Sequence, residues 1–198
     1  MVAAAMMGVT LGIPTHIKRV IKVEEDFDAS NKVRGVVSMN DDTNSPATDA
    51  DLADQWAAER CPLIDGIVFG DGRVKHVLAA WKKQENGRLG LVVETGEWTT
   101  LKDFRRKGSL DWTEIMELCT TEDPARGIRI LGGAGGLGGD GFVAALRTDS
   151  GEISWIAFFT ASNPFEVVQI RGDFVMARTN LGMWWRFPLD APDRVTLQ

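Results

Sequence analysis

Cysteine and histidine are scarce in this chain, and their scarcity argues against several kinds of site. The sequence contains two cysteines, Cys61 and Cys119, and two histidines, His16 and His76. Two isolated cysteines form neither a disulfide framework nor the CxxC pairs of a structural zinc site, and they are typical of a reducing, cytoplasmic compartment. HExxH, GxSxG and paired-histidine motifs are also missing. We therefore predict no metal, no cofactor and no catalytic residues.

Basic residues are outnumbered as well. The chain has 22 Lys and Arg against 28 Asp and Glu, a formal net charge of −6. Nucleic-acid affinity rests on clustered Lys and Arg, so we expect no nucleic-acid partner. The largely apolar stretch Val2–Ile13 is too short to span a bilayer and lacks the preceding positive charge of a signal peptide. We therefore expect no membrane partner and a cytoplasmic location, and the sequence leaves the oligomeric state open.

The length and the patterning predict one domain over residues 1–198, with a subdivision into an acidic segment, 1–62, and a β-rich body, 63–198, as the alternative. The predicted class is α+β, mainly β. We expect an antiparallel meander or a partly closed barrel or sandwich, with two short helices and a C-terminal strand repeat.

Local patterns locate the predicted elements. Strands are expected over His16–Glu24 and Val33–Met39, a first helix from Thr48 or Asp49 to before Cys61, a meander over Leu63–Thr95, and a second helix over Asp111–Cys119. The meander contains Asn86-Gly87, which favours a type I′ hairpin turn because both of its central residues need positive φ. The second helix is predicted from the capping-box spacing of Asp111 and Glu114.

An internal repeat organises the C-terminal part, residues 142–197. Residues 142–159 are echoed by residues 174–188, and Arg147-Thr148 recurs as Arg178-Thr179. A proline turn and a short apolar strand follow each copy, so the unit reads strand, tight turn, strand, proline turn, strand. Each copy is too short to close a core alone, and we expect the two copies to stack or to share one sheet.

The glycine-rich stretch over residues 131–141 is the candidate flexible loop, with Gly133, Gly135, Gly138 and Asp140 as its candidate residues. Its GxGxxG spacing follows a predicted strand, as a dinucleotide fingerprint does, but the next residues are patterned as a strand where the fingerprint needs a helix. The stretch also matches one calcium-binding nonapeptide, but lacks the aspartate of an adjoining copy. The alternative interpretation is that these glycines simply permit a close approach to a neighbouring surface.

Tryptophans near the C-terminus offer a further alternative. Trp155, Trp184 and Trp185 could stack on sugar rings, although core packing is more typical of tryptophan, and one of the adjacent pair should point inward from a strand. Together with the glycine-rich loop they define the alternative function, a carbohydrate- or nucleotide-binding domain or hydrolase with a pocket under that loop.

Carboxylates cluster between Glu24 and Glu59, a segment with ten acidic residues and only two basic ones. Such a cluster attracts a basic protein and pairs with its Lys and Arg, although a merely solvated loop and helix face is the alternative. The predicted partner-binding residues are Asp41, Asp42, Asp49, Asp51, Asp54 and Glu59.

The segment Trp155–Leu189, with its closely spaced aromatic strands, resembles the ends of small, acidic, β-rich bacterial immunity proteins of polymorphic-toxin systems. The resemblance implies a stoichiometric inhibitor that occludes a cognate toxin domain by binding, without a cofactor. It provides no individual site residues. The leading hypothesis is therefore a non-enzymatic protein-binding module with a basic toxin domain as its partner.

Overall fold

The computed structural model of the protein describes residues 49–85 and 87–198, and side chains from Asp51 onward. These residues belong to one compact unit. The strands predicted over His16–Glu24 and Val33–Met39 lie outside the described residues.

Two helices and twelve strands follow one another in the described part of the chain. In chain order they are α1 (Asp49–Ala57), β1 (Arg60–Pro62), β2 (Gly66–Phe69), β3 (Arg73–Lys83), β4 (Leu89–Thr100), α2 (Leu101–Arg106), β5 (Trp112–Asp123), β6 (Ile128–Gly135), β7 (Gly141–Arg147), β8 (Ile153–Phe159), β9 (Phe165–Arg171), β10 (Phe174–Thr179), β11 (Trp184–Pro188) and β12 (Thr196–Leu197).

The predicted class, mainly β with two short helices, is confirmed. The strands form an eight-stranded sheet in the order β1-β5-β6-β7-β8-β2-β3-β4 and a four-stranded sheet in the order β12-β11-β10-β9. Neighbouring strands are antiparallel in both sheets, and neither sheet is closed into a barrel.

Two cores cover the two faces of the large sheet. The first core joins it to the small sheet, where Phe159 lies 4.6 Å from Trp185 between ring centroids. The second core lies on the opposite face, where α1 contributes Leu52 and α2 contributes Phe104. Strands β7 and β8 are buried on both faces, which explains why they are continuously apolar where a half-exposed strand would alternate.

The predicted repeat is present as structure. Strands β7 and β8 form one hairpin and β10 and β11 form the other, and each pair is followed by a proline turn and a further strand. The two hairpins lie in different sheets and stack through the first core, as in the contact between Trp155 and Phe187, whose ring centroids are 5.8 Å apart. The two hairpins therefore stack, while β9, the third strand of the first copy, shares the small sheet with the second copy. Each of the two predicted arrangements is found for part of the repeat.

The position of the second helix was predicted wrongly. Residues 112–123 form β5, whose eight register pairs with β6 override the local capping signal. The helix lies earlier, at α2, where the Thr100 hydroxyl accepts a hydrogen bond from the Asp103 N–H at 3.2 Å and donates to the Asp103 carboxylate at 2.8 Å. The same kind of capping interaction therefore forms at a different place in the chain.

The β3–β4 hairpin is confirmed, but its turn differs from the predicted one. The Gly87 N–H donates to the Gln84 carbonyl at 2.9 Å, so Gly87 is the last residue of this turn and not a central one. Gly87 has φ of 77°, and the Gln84 N–H donates to the Arg88 carbonyl. This three-residue loop needs positive φ at the glycine, where the predicted type I′ turn would place Asn86 and Gly87 at its centre.

Candidate protein-binding cleft

The acidic residues predicted from the sequence are only partly gathered on one surface. Asp41 and Asp42 lie outside the described residues, as does the side chain of Asp49, whose backbone begins α1. Asp51 forms an ion pair with Arg105 of α2, which neutralises it. Asp54 and Glu59 are exposed, the first on α1 and the second just after it.

Glu59 is held firmly although its side chain is exposed. Its φ of 56° is left-handed, as in the residue that often terminates a helix, and its N–H donates to the Trp56 carbonyl at 3.0 Å. Its own carbonyl accepts a hydrogen bond from the Ile115 N–H of β5 at 2.9 Å. A non-glycine residue in this conformation costs about 1–2 kcal/mol, which these two backbone bonds offset. Glu59 therefore occupies a fixed position between α1 and β5.

A cleft of about 360 Å³ opens at this junction. It is lined by Trp56, Glu59, Ile115, Met116, Glu117, Leu131 and Phe142. The Trp56 ring meets the Phe142 ring edge-on, with centroids 5.9 Å apart, and Met116 is 58% exposed. The cleft thus has apolar and aromatic walls together with two carboxylates.

The two carboxylates differ in their surroundings. Glu117 accepts a hydrogen bond from Arg129 at 3.3 Å, so its charge is partly neutralised. No Lys or Arg among the described residues lies within ion-pair distance of Glu59. A Lys or Arg side chain fits this chemistry, because its aliphatic stem packs on apolar walls while its charged end meets the free carboxylate.

An open strand edge continues from the cleft. β1 pairs with β5 only at Trp112–Glu114, and within the described part of the chain no strand pairs with the outer edge of β5 beyond Ile115. Met116 and Leu118 are exposed along this length of β5, by 58% and 43%. An unpaired edge offers backbone donors and acceptors to an added strand.

The glycine-rich stretch is mostly strand, so the loop is shorter than the predicted range of residues 131–141. Gly133 and Gly135 belong to β6, and the connection to β7 covers only residues 136–140. A Cβ atom at Gly133 would lie 2.0 Å from the Met116 carbonyl oxygen, and one at Gly135 would lie 2.2 Å from the Asp140 carboxylate. The glycines in β6 therefore permit close contact, as in the alternative interpretation of this stretch.

Gly138 and Asp140 shape the short turn that remains. Gly138 has φ of 84°, and the fully buried Asp140 accepts a hydrogen bond from the Leu137 N–H at 3.2 Å. The chain continues from this turn directly into β7, so the turn is not followed by the helix that a dinucleotide fingerprint requires. Within residues 51–85 and 87–198, no three His, Cys, Asp or Glu side chains converge as metal ligands would.

The two thiols are protonated at neutral pH. Burial raises the pKa of Cys61 far above its ordinary value, and burial likewise raises the pKa of Cys119 to about 11. The Cys119 thiol donates to the carbonyls of Gly132 and Phe165, each at 3.5 Å. Since the thiolate is the reactive form, neither side chain is prepared for nucleophilic attack. His76 packs against Phe104, and His16 lies outside the described residues.

Sequence reasoning found Glu59 but missed the other walls of the cleft. Trp56 was noted only as a helix residue, while Met116 and Glu117 were assigned to a helix that is β5. Only the pairing of β1 with β5, between segments about fifty residues apart, brings these side chains to α1. No local pattern carries that information.

No family model, curated protein or solved structure matches this chain. No helix in the described residues is both long and apolar enough to cross a bilayer.

Proposed function

We propose that this chain is a non-enzymatic protein-binding module that holds a basic partner at the cleft between α1 and β5. The observation that carries the proposal is the unpaired carboxylate of Glu59, a residue whose backbone is fixed, in the cleft with Trp56 and the exposed Met116. Aromatic anchors next to a charge are typical of the residues that dominate binding energy at interfaces. The open edge of β5 extends the same contact surface.

We propose further that the partner is a bacterial toxin domain, which the module inhibits by occlusion as an immunity protein does. The net charge of −6 favours rapid association with a cationic protein. A toxin that uses Lys or Arg on its own substrate would place one of these side chains in the cleft. The resemblance of Trp155–Leu189 to immunity proteins supports the same role, and two free cysteines favour a cytoplasmic location.

The cleft is tested first with a deca-arginine peptide in isothermal titration calorimetry. We expect Glu59→Gln to weaken binding about tenfold, equivalent to about 1.4 kcal/mol, because it removes the unpaired carboxylate. Glu97→Gln on β4 removes the same charge at the opposite end of the large sheet and should leave affinity nearly unchanged. Equal losses in both variants would mean diffuse attraction by net charge, and would refute a localised site.

The toxin-inhibitor role needs a separate test. The C-terminal domain encoded by the gene immediately upstream is co-expressed with this chain in bacteria. Growth arrest by that domain should be relieved by the unaltered chain and much less by Glu59→Arg, while Glu97→Arg should protect fully. Failure of the unaltered chain to protect or to bind that domain would reject this toxin assignment while leaving the peptide result intact.

A further inference from the structure

A second, oppositely charged surface lies on the outward face of the small sheet. Val175, Ala177, Trp185 and Phe187 point into the core between the sheets, so by strand alternation the residues between them point away from it. The arginine face, as we name this surface, is formed by Arg171, Phe174, Arg178, Trp184 and Arg186 around the largely buried Met176.

The three arginines of this face lie against its two aromatic rings. The guanidinium carbon of Arg186 lies 3.5 Å from the Phe174 ring centroid, which is van der Waals contact above the ring. Those of Arg171 and Arg178 lie 5.8 Å and 5.7 Å from the Trp184 centroid, so both groups contact the same ring. Arg171 also donates to the Gln169 side-chain oxygen at 2.7 Å. Contact with rings limits the freedom of the guanidinium groups. The Gln169 oxygen also accepts from Arg171 Nε at 3.0 Å, so one edge of Arg171 is occupied, while Arg178 and Arg186 keep their N–H edges available.

No carboxylate among the described residues lies within ion-pair distance of these three arginines, although the chain has an excess of acids. The two copies of the internal repeat differ in whether their arginine has a carboxylate partner. Arg147 in the first copy is paired with Asp149 at 2.9 Å, whereas the position equivalent to Asp149 in the second copy is Asn180. Arg178 aligns with Arg147 in the sequence repeat, whereas in the strand registers it occupies the position of Leu146. It has no carboxylate like Asp149 beside it and keeps its charge unneutralised.

We propose that the arginine face binds single-stranded nucleic acid. Guanidinium edges suit phosphate oxygens, and the planar surfaces of Arg and aromatic side chains suit unpaired bases, so a nucleotide chain uses both components of this face. An acidic peptide would use only the charges. A duplex is disfavoured because its bases are already stacked and paired. The net charge of −6 does not prevent local contact, since at physiological salt charges beyond about 8 Å are largely screened.

The test is fluorescence anisotropy with a fluorescein-labelled ten-nucleotide oligo(U), a ten-residue poly-glutamate peptide and a ten-base-pair duplex. Oligo(U) should bind most tightly, and three phosphate contacts predict a slope of about −2 in a plot of log affinity against log salt. Changing Arg171, Arg178 and Arg186 together to Gln should weaken binding at least tenfold. Changing all three to Lys keeps the charge but loses the planar groups, and should recover only part of the affinity.

Arg147→Gln is the matched control, because it removes one exposed arginine that aligns with Arg178 in the sequence repeat but lies outside the arginine face. The affinity of this variant for oligo(U) is compared with that of Arg178→Gln. Thermal unfolding of each variant verifies that it remains folded. Absence of oligo(U) binding by the unaltered chain, or equal effects of Arg147→Gln and Arg178→Gln, would overturn the proposal. Tighter binding of poly-glutamate than of oligo(U) would also overturn it, and would assign the face to acidic protein segments.

Discussion

Two adjacent tryptophans with opposite surroundings provide a sharp test of the two-sheet core. Trp185 is fully buried between the sheets, and its ring centroid lies 4.6 Å from that of Phe159, 5.6 Å from that of Phe165 and 6.2 Å from that of Phe187. Trp184 is partly exposed on the arginine face. Replacing each in turn by alanine changes the same residue type on the two faces of one strand.

The two losses should differ severalfold. Trp185→Ala removes a fully buried ring and its three aromatic contacts, which should lower the free energy of unfolding by about 3–5 kcal/mol. Trp184→Ala removes two exposed cation–π contacts, each of about 0.5–1 kcal/mol, so we expect a loss of about 1–2 kcal/mol. For a domain of this size, the corresponding falls in Tm are about 6–20 °C and about 2–8 °C.

A third variant separates the ring from its polar group. The buried Trp185 indole N–H has no acceptor among the described residues, and an unpaired buried donor costs about 1–3 kcal/mol. Trp185→Phe removes this cost together with part of the ring, so its loss should fall below about 2 kcal/mol.

Urea denaturation followed by circular dichroism gives all three free energies on one scale. Similar losses for Trp184→Ala and Trp185→Ala would refute the assignment of the two residues to opposite faces of the small sheet. A loss for Trp185→Phe as large as that for Trp185→Ala would mean that the indole N–H is satisfied in solution.

Two further predictions concern single positions. Gly133→Ala should lower the free energy of unfolding by about 1–3 kcal/mol, because its Cβ would meet the Met116 carbonyl, whereas Gly139→Ala should be nearly neutral in the same urea titration because nothing lies within 4 Å of the added atom. The hydrogen bond from Arg147 holds the pKa of Asp149 at about 2, so its stabilising effect is present above the ordinary value of 3.8 and is lost as the pH falls toward 2. Arg147→Gln should move the pKa of Asp149 back toward 3.8 in a carboxyl NMR titration, and an unchanged value would exclude this hydrogen bond in solution.

Local signals predicted the elements that depend on local chemistry. The helix at α1 is marked by polar residues at its start and by Leu52 and Trp56 at helical spacing, and the β3–β4 hairpin is marked by Gly87. The segment that forms β5 was wrongly predicted as a helix, because the spacing of Asp111 and Glu114 is typical of a helix start. Pairing with β6 makes this segment a strand. Most register pairs of β5 with β6 join residues that a window of ten cannot contain. The cleft beside α1 depends on a pairing of still longer range, that of β1 with β5.

Comparison of the two repeat copies shows how the layers of the fold explain their sequence differences. Facing inward, the copies are alike: Ala145 pairs with Trp155 in the first, and Ala177 pairs with Trp185 in the second. Facing outward they differ, because helices cover the first copy, whereas no helix of the described residues covers the second. Ile156, buried in the second core, therefore has Arg186 as its counterpart. Burial of a charge without a partner would be costly at Ile156, whereas an exposed sheet face tolerates it. The open layer is thus where this repeat is free to carry a binding function, and the arginine face occupies that layer.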